Sequence, residues 1–275
     1  MSAFFLTDLS LTYHYIIYME YALITGASKG IGKYITEELA RKGWNVLLVA
    51  RSADLLKQGA AELTSRYTIK VDWLALDLSE PDAPQKVYDW CKQKEYLVRA
   101  LVNNAGYGLS GPFEKYPWVE HLNMMHVNMN ALVGLTRLFL PDLRASSRAY
   151  VLNIASSAAY QAVPKLSLYA ATKSFVLAFS RGLHQELAGS PVTVTCVSPG
   201  ATDTDFPNRA QLGEKGMKAA AKFNMNPQVV ASLAVKAMLA GRTEVITGFV
   251  NKLGAVMAWL LPKSLVEKTA MKIYE

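Results

Sequence analysis

Tyr169 and Lys173 stand four residues apart in the run Tyr-Ala-Ala-Thr-Lys. On a helix that spacing puts both side chains on one face. A tyrosine alone loses its proton near pH 10 and is a poor base at neutrality. A neighbouring ammonium favours the phenolate, so the pair can act as a general acid or base near neutral pH. Ser156 lies thirteen residues before the tyrosine, at the end of an expected strand. Brought beside it, the serine hydroxyl can hydrogen-bond a substrate carbonyl. Ser157 is its rival for that place.

A second constellation points to a nucleotide. Thr25-Gly26-Ala27-Ser28-Lys29-Gly30-Ile31-Gly32 follows an apolar run and opens a helical pattern. Backbone N–H groups at such a helix start attract a pyrophosphate, and glycines let it come close. The spacing is GxxxGxG, not GxGxxG. It is not a P-loop either, because Lys33 is followed by Tyr34 where Ser or Thr would stand. The second strand ends at Val49-Ala50-Arg51-Ser52, with a base and no acid at its tip. An acid there binds the ribose 2′-OH of NAD, and a base accommodates the 2′-phosphate of NADP. Arg51, joined by Lys29, therefore points to NADP(H). The plain alternative for Arg51 is a solvated surface side chain.

The elements that must position these groups alternate. Apolar runs at 21–25, 45–50, 71–76, 100–102, 150–155, 192–197 and 244–247 read as seven strands. Helical patterns fall between them, at 31–42, 55–66, 81–93, 114–145, 168–187 and 227–240. Pro81 is expected as a first-turn proline of its helix. This rhythm predicts an α/β fold: a single Rossmann-type doubly wound domain over residues 19–275, with a seven-stranded parallel sheet flanked by helices on both faces.

Composition narrows the function classes. Hydrophobic residues make up 51% of the 275, and the formal charge is +7. The basic residues are scattered without a run, which argues against nucleic acid and is met by an anionic cofactor. Cys91 and Cys196 form no CxxC motif and no disulfide framework, so a cytoplasmic protein is expected. Cys196 reads as inert strand packing. His121, His126 and His184 lie on helical patterns without a partner at metal spacing, and no metal is expected. Met124, Met125 and Met129 suit a core or an interface. Residues 1–18 read as an N-terminal extension, with a weak amphipathic anchor as the sharper alternative. They lack the marks of a signal peptide or a membrane span.

The ordered set of motifs from about Glu20 to Thr247 resembles the short-chain dehydrogenase/reductase family, in its branch of about 250 residues. The resemblance implies that Gly26, Ser28, Lys29, Gly30, Ile31 and Gly32 form the cofactor loop. Asp77 and Leu78 would meet the adenine. Asn104, Ala105 and Gly106 belong to Asn103-Asn104-Ala105-Gly106, similar to the family's NNAG motif. Pro199, Gly200, Thr202 and Thr204 would contact the nicotinamide. Ser156, Tyr169 and Lys173 match catalytic positions, with Tyr169 and Lys173 also meeting the cofactor and Lys173 binding its nicotinamide ribose, and the thirteen-residue offset from Tyr169 favours Ser156 over Ser157; Asn128 matches the catalytic asparagine that holds a relay water. The implied reaction is hydride transfer between NADPH and a ketone or secondary alcohol, steroid-like or 3-oxoacyl among the candidates, in a homodimer or homotetramer. The alternative is an NADPH-binding protein without turnover. Residues 203–226 read as a lid over the substrate or as an ordinary surface loop. The apolar tail from about residue 248 could cover the pocket, meet a partner subunit or touch a membrane surface.

Overall fold

The computed structural model describes residues 19–274, so the expected extension at 1–18 lies outside the described residues. The chain begins with β1 (Glu20–Thr25), α1 (Gly30–Arg41), β2 (Asn45–Ala50), α2 (Ala53–Arg66), β3 (Val71–Ala75), α3 (Ala83–Gln93) and β4 (Leu97–Asn103). It continues with α4 (Trp118–Met125), a π-helical turn (His126–Asn130), α5 (Ala131–Arg144), β5 (Ala149–Ile154), α6 (Ser167–Glu186) and β6 (Val192–Ser198). The last elements are α7 (Phe206–Arg209), α8 (Glu214–Phe223), α9 (Pro227–Leu239), β7 (Glu244–Ile246), α10 (Phe249–Leu260) and α11 (Lys263–Tyr274).

All seven strands pair in parallel in one sheet of order β3-β2-β1-β4-β5-β6-β7. The strand order reverses between β1 and β4, and in open α/β sheets ligands bind outside the carboxyl ends of the strands at that point. Burial on both faces explains the continuous apolar runs. Along β2, Val46 and Leu48 join the core under α1 and α9, while Leu47 and Val49 join the core under α3 and α5. Ile35 and Leu39 of α1 meet Ala231 and Val235 of α9 in the first core. Val87 and Cys91 of α3 meet Leu135 and Phe139 of α5 in the second.

Two sequence expectations are corrected. Helix α3 begins at Ala83, and the proline in its first turn is Pro84. Pro81 stands outside, because Asp82 is the N-cap and Ala83 N bonds back to Glu80 O in a turn. The stretch at 114–145 is not one regular helix. A 3-10 turn at Phe113–Lys115 precedes α4, and the π-helical turn separates α4 from α5. Such turns often mark functional positions, and this one carries Asn128. Among the described residues no helix is long and apolar enough to cross a membrane.

Candidate active site

The glycine-rich turn is built by close approach. Thr25 Oγ1, at the tip of β1, donates to Val102 O across the sheet and accepts from the N–H groups of Asn104 and Ala105, at 3.0 and 3.1 Å. The Asn104 amide donates to Thr25 O and Gly26 O at 2.9 and 3.2 Å. A Cβ on Gly32 would run into that amide and into Gly26 O, and Gly26 itself needs a φ of +65°. Only glycine permits this turn, because the packing removes the space and the dihedral excludes a side chain. Asn104 thus braces the loop from behind while lining the cleft.

From this loop one cleft of about 920 Å³ runs to Tyr169. It brings together the expected Gly26, Ser28, Lys29, Gly30, Ile31, Arg51, Asp77, Leu78, Asn104, Ala105, Gly106, Ser156, Tyr169, Lys173, Pro199, Gly200, Thr202 and Thr204. Gly32 and Asn128 are the two expected site residues outside its lining, and both act from beneath it. Arg51 and Lys29 reach the cleft but turn to different carboxylates. Arg51 Nη1 lies 3.9 Å from Asp77 Oδ2, and Lys29 Nζ lies 3.8 Å from Asp205 Oδ2. Ser79 holds the other Asp77 oxygen through its N–H and its hydroxyl, both at 2.9 Å.

At the far end, Lys173 is 4% exposed and its Nζ donates to Ile154 O at 2.9 Å. It lies 5.9 Å from the centre of the Tyr169 ring. Burial is the dominant cause that brings the Lys173 ammonium down to about 8. Ser156 caps the 3-10 turn at Ser157–Tyr160, and its Oγ accepts from Ala158 N at 3.1 Å. That fixes the oxygen and leaves the hydroxyl proton to be donated. Ser157 also lines the cleft, and its N–H holds Pro199 O at 2.7 Å, tying the tip of β5 to that of β6.

Asn128 sits in the π-helical turn with its side chain fully engaged. Its Nδ2 donates to Tyr107 O and Thr172 Oγ1, and its Oδ1 accepts from Tyr107 N, all at 3.0 Å. Both amide hydrogens are therefore spent on bracing the segment after Gly106 against α6. Thr172 Oγ1 in turn donates to Tyr169 O at 2.7 Å.

Sequence reasoning did not find Tyr107, Phe206, Arg209 and Asn251, which also line the cleft. The Arg209 guanidinium stacks 4.3 Å from the Tyr107 ring centre, and the Phe206 ring lies 5.2 Å from that of Tyr169. The available signals were the place of Tyr107 directly after Gly106 and of Phe206 and Arg209 in the polar segment after Thr204. That segment, 203–226, is tied at its base by Asp203 N to Met225 O and Met225 N to Ala201 O, each 2.9 Å, and at its tip by Ser110 N to Ala210 O at 2.8 Å. Among the described residues no three His, Cys, Asp or Glu side chains gather where a metal could be held. Cys196 is fully buried in β6, and burial pushes its thiol up to about 11.

The family model for short chain dehydrogenases matches residues 20–215. Very-long-chain 3-oxoacyl-CoA reductase-A of Danio rerio is 36% identical over 184 residues, which are 66% of this chain and 57% of that protein. The human very-long-chain 3-oxoacyl-CoA reductase is 34% identical over 184 residues, again 66% of this chain and 58% of the relative. The matched part thus spans little more than half the length of these curated relatives. Among solved structures, a 7beta-hydroxysteroid dehydrogenase superposes with a TM-score of 0.82 at 25% identity, covering 92% of this chain and 97% of that one. A short-chain dehydrogenase from Sphingobium yanoikuyae in complex with NADPH gives 0.78 at 29% identity, covering 88% and 93%. The chain belongs to the short-chain dehydrogenase family.

Proposed function

We propose that the protein is an NADP(H)-dependent oxidoreductase that interconverts a ketone and a secondary alcohol, with residues 19–275 working as one unit. The observation that carries this reading is the buried Lys173 ammonium beneath the Tyr169 ring, at the end of the same cleft that begins at the glycine loop. The turn at Gly26, Ser28 and Gly30, opening α1 into the cleft, fits a pyrophosphate, and Arg51 at the tip of β2 fits a 2′-phosphate. When bound, the cofactor supplies the hydride. The side chains supply position and protons. Tyr169 gives the carbonyl oxygen its proton, and the Ser156 hydroxyl donates to the same oxygen and holds it in place. Lys173 stabilises the negative charge left on the Tyr169 oxygen. Asn128 fixes the backbone on both sides of this group.

Val163, Leu166, Phe206 and Leu212 make the wall around Tyr169 apolar. That wall, and relatives named for 3-oxoacyl-CoA and hydroxysteroid substrates, favour a ketone on a long apolar body. The experiment is a fluorescence titration of the protein with NADPH and NADH, followed by ketone reduction assays with the better ligand. Tight NADPH binding and turnover of apolar ketones support the reading. NADPH binding without turnover of any ketone would favour a cofactor-binding protein, and tighter NADH binding would remove the role given to Arg51.

A further inference from the structure

Helix α10 turns its apolar side outward. Its buried face is narrow, with Ala258 2% exposed and Asn251 half-buried, the Asn251 amide donating to Thr247 O. Phe249, Leu253, Val256 and Leu260 recur at the three- and four-residue spacings of one helix face, and all are more than half exposed, Phe249 at 79%. Trp259 at 78% widens this stripe. An exposed apolar face of this kind marks an interaction surface. The helices around it carry the charge. Together α8, α10 and α11 hold seven lysines against Glu214 and Glu267, an excess of five positive charges in a chain whose total is +7. Helix α11 follows α10 directly in the chain and packs on α8, and α10 itself carries the exposed Lys252. A second copy of this chain would bring the same positive charge to the contact and be repelled.

We infer that α10 docks on an anionic lipid surface. Apolar side chains that include a tryptophan, beside lysines and on a helix too short to span, match an element lying in the plane of a bilayer's interface. Val250 and Asn251, at the start of α10, line the active-site cleft, so docking sets the cleft beside the lipid. The inference needs no particular substrate and stands apart from the proposed reaction.

The test is flotation of the full chain with vesicles of phosphatidylcholine alone and of phosphatidylcholine with phosphatidylglycerol. Binding is expected to the anionic vesicles, weaker on the neutral ones and weakened by salt. Leu253→Glu and Trp259→Glu, both at exposed positions off the cleft, are expected to lower the bound fraction roughly tenfold or more while leaving NADPH affinity intact. Two results would overturn the inference. One is absence of flotation, or flotation that both variants retain. The other is a stable dimer by light scattering that either variant turns into a monomer, which would make the stripe a contact between copies.

Discussion

The wall of the cleft formed by residues 25–32, 104–107 and 154–173 is held from beneath, whereas the wall formed by residues 203–226 is held at a few backbone points. In the first, Thr25, Asn128 and Lys173 are each less than 5% exposed, and every polar contact they make is within the scaffold. In the second, the ion pair from Lys29 to Asp205 joins side chains 63% and 58% exposed, and backbone bonds at 201–203 and at Ala210 tie the segment down. Hydride and proton transfer need fixed geometry, which buried hydrogen bonds supply. A wall that must admit and release the proposed ketone is better anchored at its ends than throughout its length.

Tyr169→Phe is the sharpest way to break this contrast. The change removes one hydroxyl and leaves the ring against Phe206. Turnover should fall about 10²–10⁴-fold, the usual worth of a positioned general acid, with NADPH affinity unchanged in the same titration. Full turnover in the variant would move the chemistry off the rigid wall. Gly32→Ala attacks the same wall from below. A Cβ there meets the Asn104 amide and Gly26 O, which are backbone and brace, not flexible ends. The expected cost is about 1–3 kcal/mol of stability together with loss of measurable NADPH binding, read by thermal melting and titration. A variant that melts and binds like the parent would show that the loop is less constrained than its contacts imply.

The rigid wall was also the legible one. Strands buried on both faces write themselves as apolar runs, and the β1 glycine turn, the Asn103–Gly106 run and the Tyr169–Lys173 spacing lie within short windows. The brace functions of Asn104 and Asn128 were not legible, because both depend on partners 79 and 21 residues away. The π-helical turn was hidden because a single widened turn hardly disturbs an apolar period of 3.6. Arg209 was missed for a similar reason: nothing local to it announces the Tyr107 ring, which reaches it only through the fold. Helix α10 read as a featureless apolar tail because its outward face is as apolar as its inward one, so no polar side marked its period.

The pH dependence follows from Lys173. Burial has lowered its folded value to about 8 from an ordinary value near 10.5. The ammonium is present well below pH 8 and is lost as pH rises through it, so reduction should decline over that window as Tyr169 loses its cationic neighbour. The stability effect has the opposite direction. Between about 8 and 10.5 the unfolded chain still holds a proton on this lysine and the folded chain does not, so the lysine's contribution to stability rises with pH. Urea midpoints of the parent minus those of Lys173→Met should therefore increase from pH 7.5 to 9.5, while other groups cancel. A flat difference would mean that the ammonium keeps its proton in the folded state.

The smallest effects belong to the exposed cations, and they probe where the two walls meet. Arg51 stands on the rigid side and Arg209 on the side tied at its ends, and both face the cleft. Burial is the main cause that lowers Arg209, and the neighbouring Arg51 charge adds to it, so the two guanidiniums oppose each other across the opening. Arg51→Ala should reduce the preference for NADPH over NADH by about three- to tenfold, the scale of a half-exposed charge contact. Arg209→Ala should weaken both nucleotides by a smaller factor, because its guanidinium is already stacked on the Tyr107 ring. The double variant decides how the walls communicate. If both arginines grip one phosphate, the second substitution costs less than it does alone, since the anion has already lost its cradle. If the effects simply multiply, Arg209 and Arg51 hold different parts of the nucleotide, and selectivity for the 2′-phosphate resides wholly in the rigid wall.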